Sequence, residues 1–219
     1  MVSCGDGGQA APTVDTVTPT TAQPDTVVPA TSGCARQQTV QMQGGAVADV
    51  ATLADIGRLG GSVLVVEVAP EPSRTIVDED PAPVIAGQPL GLPANSPYVL
   101  TRYDVTATQV VVWPDSASTP TADDDELILD IDGGTYNCFT LDVSNAVTLE
   151  PGATYLIAAG VRNAHELRLW DANNALKIDG TVIGHAADGV ALPEALAALV
   201  GQPITSLPPL SVVHSILLP

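Results

Sequence analysis

The side chains best suited to bind a ligand are the carboxylates between residues 123 and 132. Hard cations such as Ca²⁺ are held by several converging carboxylate oxygens, so this acidic segment is a candidate calcium site. Its spacing does not match an EF-hand loop, and solvated loop charge is the alternative interpretation. The candidate ligands are Asp123, Asp124, Asp125, Asp130 and Asp132. The sequence predicts no other cofactor.

Catalytic patterns are the second kind of chemistry to consider. Asp130 and Asp132 fall on one face of a predicted strand, at a spacing that would suit the paired carboxylates of an inverting glycosidase. The chain has only one Phe, two Trp and four Tyr to stack on a sugar. The three histidines belong to no ligand or base motif, and no Gly-x-Ser-x-Gly elbow occurs. The sequence therefore predicts a protein that is not an enzyme.

Net charge restricts the partners. The chain carries 25 acidic against 7 basic side chains, a formal net charge of −18. Such a surface repels phosphate backbones and anionic lipid headgroups. We therefore expect neither nucleic-acid binding nor electrostatic attachment to membranes.

The N-terminal sequence indicates where the protein is located. Cys4 follows small residues and precedes about thirty residues rich in Thr, Pro, Ala and Val. This arrangement resembles the acylated N-terminus of a bacterial lipoprotein. The resemblance implies lipidation of Cys4, an extracytoplasmic location (cell surface or secreted), and membrane contact only through the lipid. The alternative is that Cys4 is an ordinary thiol.

Two further cysteines remain, Cys34 and Cys138. An even pair in an oxidising compartment predicts a disulfide, and two unpaired buried thiols are the alternative. The bond would close a loop of about a hundred residues and contribute on the order of 4 kcal/mol. Neither cysteine lies in a Cys-x-x-Cys pattern, so zinc is not predicted.

The chain divides into residues 1–33, a lipoprotein-like N-terminus with a Pro/Thr-rich tether or arm, and residues 34–219, a single β-rich domain. Four prolines in the first part prevent a helix and favour an extended spacer. The same part also carries apolar side chains that could pack along a neighbouring subunit by strand addition. These arm-contact candidates are Val14, Val17, Val27 and Val28.

Alternation between apolar and polar residues predicts the secondary structure. The clearest strand covers residues 98–113, and other strands are predicted at 62–69, 127–132, 135–143, 154–161, 166–171, 175–178, 181–183 and at the edge segment 204–218. Helices are predicted at 47–59 and 192–200. Strands and helices do not alternate as in parallel-sheet folds. The fold class is therefore mainly β, a Greek-key or OB-like β-barrel or sandwich with two short helices and an extended N-terminal arm.

Parts of the domain resemble a known family. The segment Asp49 to Ala69, the sequence Tyr103-Asp-Val, Cys138, and the segment Pro151 to Gly160 together resemble the OB-type barrel of netrin- and metalloproteinase-inhibitor-like modules. The resemblance implies the barrel. In inhibitors of that family an N-terminal cysteine reaches the protease zinc, whereas Cys4 lies about thirty residues ahead of this barrel. Inhibitory activity is therefore not carried over.

Three functions follow from these features. The first is an extracytoplasmic, lipid-anchored module that binds a protein or surface polymer without catalysis. The second is a structural subunit of an extracellular filament or assembly that self-assembles through its N-terminal arm. The third is a secreted hydrolase on a β scaffold.

Overall fold

The computed structural model describes residues 37–42, 50–78, 96–116, 119–120, 126–144, 146–170, 174–184 and 192–213. Over these residues the chain is mainly β-sheet with two short helices, which confirms the predicted mainly β fold class. The predicted N-terminal arm lies outside the described residues. The strands are β1 (Gln38–Met42), β2 (Gly61–Val68), β3 (Arg74–Asp78), β4 (Tyr98–Pro114), β5 (Glu126–Asp132), β6 (Gly134–Tyr136), β7 (Phe139–Val143), β8 (Thr154–Val161), β9 (Glu166–Leu169), β10 (Ala175–Asp179), β11 (Val182–Ile183) and β12 (Ser211–Val213); the helices are α1 (Leu53–Arg58) and α2 (Glu194–Ala197).

The longest strand, β4, follows from the alternation in its sequence. Tyr103, Val105 and Ala107 are buried on one face. Arg102 and Asp104 lie on the opposite face, because successive side chains of a strand point to opposite sides. β4 pairs with β2 and β3 along one side and with β5 and β12 along the other. β4 therefore pairs with four other strands of the sheet.

The nine-stranded sheet curls around the main core. Its strands run in the order β11-β10-β8-β2-β4-β5-β9, and β9 pairs in parallel with β5 and antiparallel with β8. The strands β2, β4, β5, β9 and β8 consequently surround one core in a barrel-like arrangement. Most of the core side chains are aliphatic; its three aromatic members are Tyr103, Trp113 and Tyr155.

A second core lies on the other side of β2. Val63 and Val65 of β2 belong to this core, while Leu64 and Val66 belong to the main one, so the strand is buried on both faces. The two helices contribute Ile56 and Leu196, among other residues, to the second core. β2 lies between β8 and β4 in the middle of the sheet order.

Helix α1 is shorter than the predicted helix 47–59. The Thr52 side chain accepts a hydrogen bond from the Asp55 backbone N–H, and the Asp55 carboxylate accepts one from Thr52 N–H at 3.0 Å. This capping box fixes the start of the helix at Leu53. Gly57 then allows close packing, because a Cβ there would lie 2.8 Å from Val112 Cγ1.

A three-stranded sheet in the order β1-β7-β6 forms a separate layer. β1 runs parallel to β7 from the pair Gln38–Phe139 to the pair Met42–Val143, and β6 is antiparallel to β7. One face packs on β4 in a third apolar cluster. The members of this cluster are Tyr98, Val99, Leu100, Phe139, Leu141 and Val143, with Val40, Met42, Ile76 and Tyr136 partly buried against them.

Two strand predictions need correction. The single strand predicted over residues 135–143 is two strands, β6 and β7, because Asn137 adopts a φ of 53° and turns the chain. The predicted edge strand 204–218 is a 3-10 turn at Ile204–Ser206 followed by the short strand β12. Pro208 and Pro209 lie between them, and proline cannot donate to a ladder. Residues 214–218 are outside the described part.

Candidate functional site

The most organised polar feature of the described residues is a part-buried set of ion pairs on the outer face of β4, β5 and β9. Strand register places Arg102 directly opposite Asp130. Arg102 Nε and Nη2 donate to the two Asp130 oxygens at 2.8 and 2.9 Å, and Nη2 also donates to Glu166 Oε1 at 2.9 Å. The Asp130 side chain is 0% exposed. Burial and two-point contact mark this pair as the centre of the network.

A second arginine continues the network on the same face. Arg168 Nε donates to Asp132 Oδ1 at 2.9 Å. Its Nη2 donates to the Tyr98 hydroxyl, and its guanidinium carbon lies 4.9 Å from the centre of the Tyr98 ring. Arg162 pairs with Asp78 beside it. We call this set the arginine–carboxylate network; its members are Asp78, Tyr98, Arg102, Asp130, Asp132, Arg162, Glu166 and Arg168.

Protonation in the network follows from burial and pairing. Burial raises the pKa of the Tyr98 hydroxyl, and the Asp132 carboxylate adds to that rise. The hydrogen bonds to Asp130 raise the pKa of Arg102. Both shifts favour the protonated forms of Tyr98 and Arg102. The arrangement holds β4, β5 and β9 together through charge-assisted hydrogen bonds.

The predicted calcium ligands divide between the two parts of the chain. Asp130 and Asp132 lie on one face of β5, as predicted. Each carboxylate forms an ion pair with an arginine. Asp123, Asp124 and Asp125 are outside the described residues, so the calcium site stays a prediction. Among the residues that are described, no three His, Cys, Asp or Glu side chains form a group suited to a metal ion.

Most of the other predicted site residues cannot be placed. Cys4, Cys34 and the four arm valines are outside the described part of the chain, as are His185 and His214. His165 is exposed, and its backbone N–H donates to Asn163 Oδ1 at 2.9 Å. Cys138 lies in the turn between β6 and β7, where its carbonyl accepts a hydrogen bond from Gln38 N–H at 2.8 Å.

A second polar surface covers the outer face of the small sheet. Register aligns Thr39 of β1, Thr140 of β7 and Thr135 of β6 in one row across the three strands. The hydroxyls of Thr135 and Thr140 lie 3.0 Å apart, and Gln37 Nε2 donates to Thr140 Oγ1 at 3.3 Å. We call this surface the threonine face; its members are Gln37, Thr39, Gln41, Thr135 and Thr140.

The threonine face differs in charge from the rest of the protein. Its members are uncharged, and all except the half-buried Thr140 are exposed. One carboxylate, Asp142, lies at its margin opposite Gln41. In a chain of net charge −18, a row of neutral hydroxyls and amides is a distinct chemical surface, able both to donate and to accept hydrogen bonds.

Neither surface is predicted by the sequence alone. Alternation places Arg102 on the polar face of the predicted strand 98–113 but indicates no partner for it. Its partners are 28 and 64 residues away in the chain. The threonine row was missed because β1 was not predicted. A Gln- and Thr-rich segment with apolar Val40 and Met42 at alternate positions was the available signal.

Comparisons with known proteins add no family. The chain matches no family model, and no curated protein matches it. None of the described helices is both long and apolar enough to cross a bilayer. Functional inference therefore rests on the two surfaces.

Proposed function

We propose that this protein is an extracytoplasmic binding module without catalytic activity, anchored by a lipid at Cys4. Its threonine face binds an uncharged, hydroxyl-rich surface polymer. The observation that carries this proposal is the alignment of Thr39, Thr140 and Thr135 in one row across three strands, with Thr39 and Thr135 exposed and Thr140 half-buried. Neighbouring strands are about 4.8 Å apart, so the row presents three threonines side by side to a polymer with repeating hydroxyl groups.

The charge distribution supports a neutral partner. Polyanions are repelled by a protein of net charge −18, and the members of the threonine face offer a polycation no carboxylate. A neutral polymer is neither attracted nor repelled at long range. Its binding depends on short-range hydrogen bonds, which the threonine face supplies.

The fold supports a platform role. β6 lies against β3 and β4, and β7 lies against β4. Strands β3 and β4 also carry members of the arginine–carboxylate network. That network ties β4, β5 and β9 through charge-assisted hydrogen bonds. A sheet held in this way keeps its exposed side chains in register. Pre-ordered side chains lose less entropy when a partner binds.

Binding can be tested by co-sedimentation with an insoluble neutral polysaccharide, such as cellulose or chitin. The triple variant Thr39→Val, Thr135→Val, Thr140→Val keeps the β-branched shape and removes three hydroxyls. At about 1 kcal/mol per hydrogen bond, we expect binding to weaken at least tenfold. Thr181→Val, at the exposed turn between β10 and β11, is the matched control and should bind like the wild type. Equal binding by the triple variant, or no binding by the wild type, would contradict the proposal.

The anchor is tested separately on protein from the source cells. Intact mass should show an acyl-glycerol addition on Cys4, and a Cys4→Ser variant should move from the membrane fraction to the soluble one. The reason is that stable anchoring depends on the lipid and not on the acidic surface. An unmodified mass at Cys4 in membrane-extracted protein would contradict lipidation and leave the polymer-binding test unaffected.

A further inference from the structure

Among the described residues, β1 is an edge strand of the small sheet, and the direction of its backbone groups can be assigned. Gln38 N–H donates to Cys138 O at 2.8 Å, and Met42 O accepts from Ser144 N–H at 2.9 Å. Residues 38 and 42 therefore direct their backbone groups toward β7. Because these groups alternate sides along a strand, Val40 does the same, while Thr39 and Gln41 direct their N–H and C=O groups to the outer edge.

In the part of the chain that the structure describes, this outer edge carries none of the usual protection against pairing. Native edges are blunted by lysines, prolines or bulges. Residues 37–48 contain no Asp, Glu, Lys, Arg or Pro, and no bulge interrupts the register of β1 with β7. Within the described residues, no other strand pairs with the outer edge. The edge thus presents two outward N–H and two outward C=O groups in an uncharged setting.

We propose that the outer edge of β1 pairs with β1 of a second copy of this chain, antiparallel and about a two-fold axis at Val40. In this register Thr39 of one copy lies opposite Gln41 of the other. Both residues direct their backbone groups outward, so each such pair forms two hydrogen bonds. The two-fold axis produces two pairs and four bonds, and joins the two small sheets into one six-stranded sheet.

A second copy fits this edge better than an unrelated peptide. The two-fold register satisfies all four outward groups of Thr39 and Gln41 without a gap. It also brings Val40 against Val40 of the second copy, and β-branched residues are favourable cross-strand partners. Charge points the same way, because two copies of net charge −18 repel most strongly at their acidic surfaces and least along an uncharged edge.

The interface is small, so we expect weak, concentration-dependent association. Screening should strengthen it, because the Debye length falls from about 10 Å at 0.1 M salt to about 3 Å at 1 M and the repulsion between like-charged copies falls with it. A dimer held by ion pairs would show the opposite dependence. This inference is independent of polymer binding, since a monomer and a dimer both expose threonine faces.

The experiment is sedimentation equilibrium of the full chain over a wide concentration range, at low and high salt. Gln41→Pro removes an outward N–H and should weaken association at least tenfold. Gln41→Thr keeps that N–H and is the matched control, expected to associate like the wild type. The triple threonine-to-valine variant also keeps the edge N–H groups and should still associate, which separates this interface from the polymer-binding surface.

A charge exchange tests the register even if the proline variant fails to fold. Thr39→Lys with Gln41→Lys places like charges opposite each other across the two-fold axis, and Thr39→Glu with Gln41→Glu does the same with opposite sign. We expect each double variant alone to be monomeric and a mixture of the two to form a heterodimer. A wild type that stays monomeric at millimolar concentration and high salt overturns the proposal, as does a mixture that fails to associate.

Discussion

Replacing Arg102 with methionine is expected to lower the free energy of unfolding by about 3–5 kcal/mol. The substitution leaves the Asp130 carboxylate, which is 0% exposed, without the two guanidinium hydrogen bonds at 2.8 and 2.9 Å. A buried charge without a partner retains the cost of its desolvation and loses the attraction that offset it. Urea denaturation of the full chain measures the difference.

The matched control is Arg74→Met on the neighbouring strand, directly opposite Arg102 in the register. Arg74 also pairs with a carboxylate, Asp104, at 2.8 Å, but the two side chains are 38% and 47% exposed. Solvent screens such a pair, so we expect a change of no more than about 1 kcal/mol. Similar losses for the two variants would show that burial is not what makes Arg102 important.

A double variant distinguishes two causes of the destabilisation, namely the unpaired buried carboxylate and the lost packing of the arginine stem. In the Arg102→Met, Asp130→Leu double variant no carboxylate is left at the fully buried position, and Glu166, whose side chain is 27% exposed, can turn to solvent. Exchanging a buried ion pair for apolar residues of similar volume is often neutral or stabilising. We therefore expect the double variant to recover most of the stability. No recovery would assign the loss to the packing of the arginine stem.

The sequence predicted the strands that have long apolar or alternating runs. Strict alternation over ten residues predicted the strand 98–113, which matches β4 to within one residue, and residues 154–161 form β8 as predicted. β1 and β3 were not predicted, because Gln38–Met42 and Arg74–Asp78 are short and mostly polar. They form strands through pairing with β7 and β4, which local sequence does not encode.

The candidate site was less accessible to prediction for the same reason. Alternation placed Arg102 on the polar face, and the spacing of two placed Asp130 and Asp132 together. That Arg102 faces Asp130 depends on the register of β4 with β5, and the contact with Glu166 depends on a parallel pair of β5 with β9. Long-range register is set by the whole fold. The sequence therefore located the two carboxylates correctly, but it could not identify the arginines that pair with them.

Joining Cys34 to Cys138 by a disulfide is expected to contribute about 4 kcal/mol to the stability of the oxidised protein. Cys34 is outside the described residues, so the bond is a prediction supported by its surroundings. Gln38 N–H bonds Cys138 O at 2.8 Å, which places the chain four residues after Cys34 beside Cys138. That length suffices to bring two α-carbons within the roughly 7 Å that a disulfide needs.

Alkylation of the unreduced native protein followed by mass analysis measures the bond directly. We expect Cys34 and Cys138 to resist alkylation until a reductant is added. Cys138→Ala should lose stability like the reduced wild type, while Cys4→Ser is the control and should not. Alkylation of both Cys34 and Cys138 without reductant would contradict the bond.

The position of the bond explains why its effect should be local as well as global. β1 pairs only with β7 among the described strands, and its residues lie about a hundred positions from their partners. Closing such a loop costs conformational entropy, and the pairing of five residues with β7 offsets only part of that cost. A cross-link next to Gln38 removes most of that cost. Reduction should therefore release β1 first, seen as faster hydrogen exchange at Val40 and Met42, and should abolish pairing through its edge before the barrel-like core unfolds.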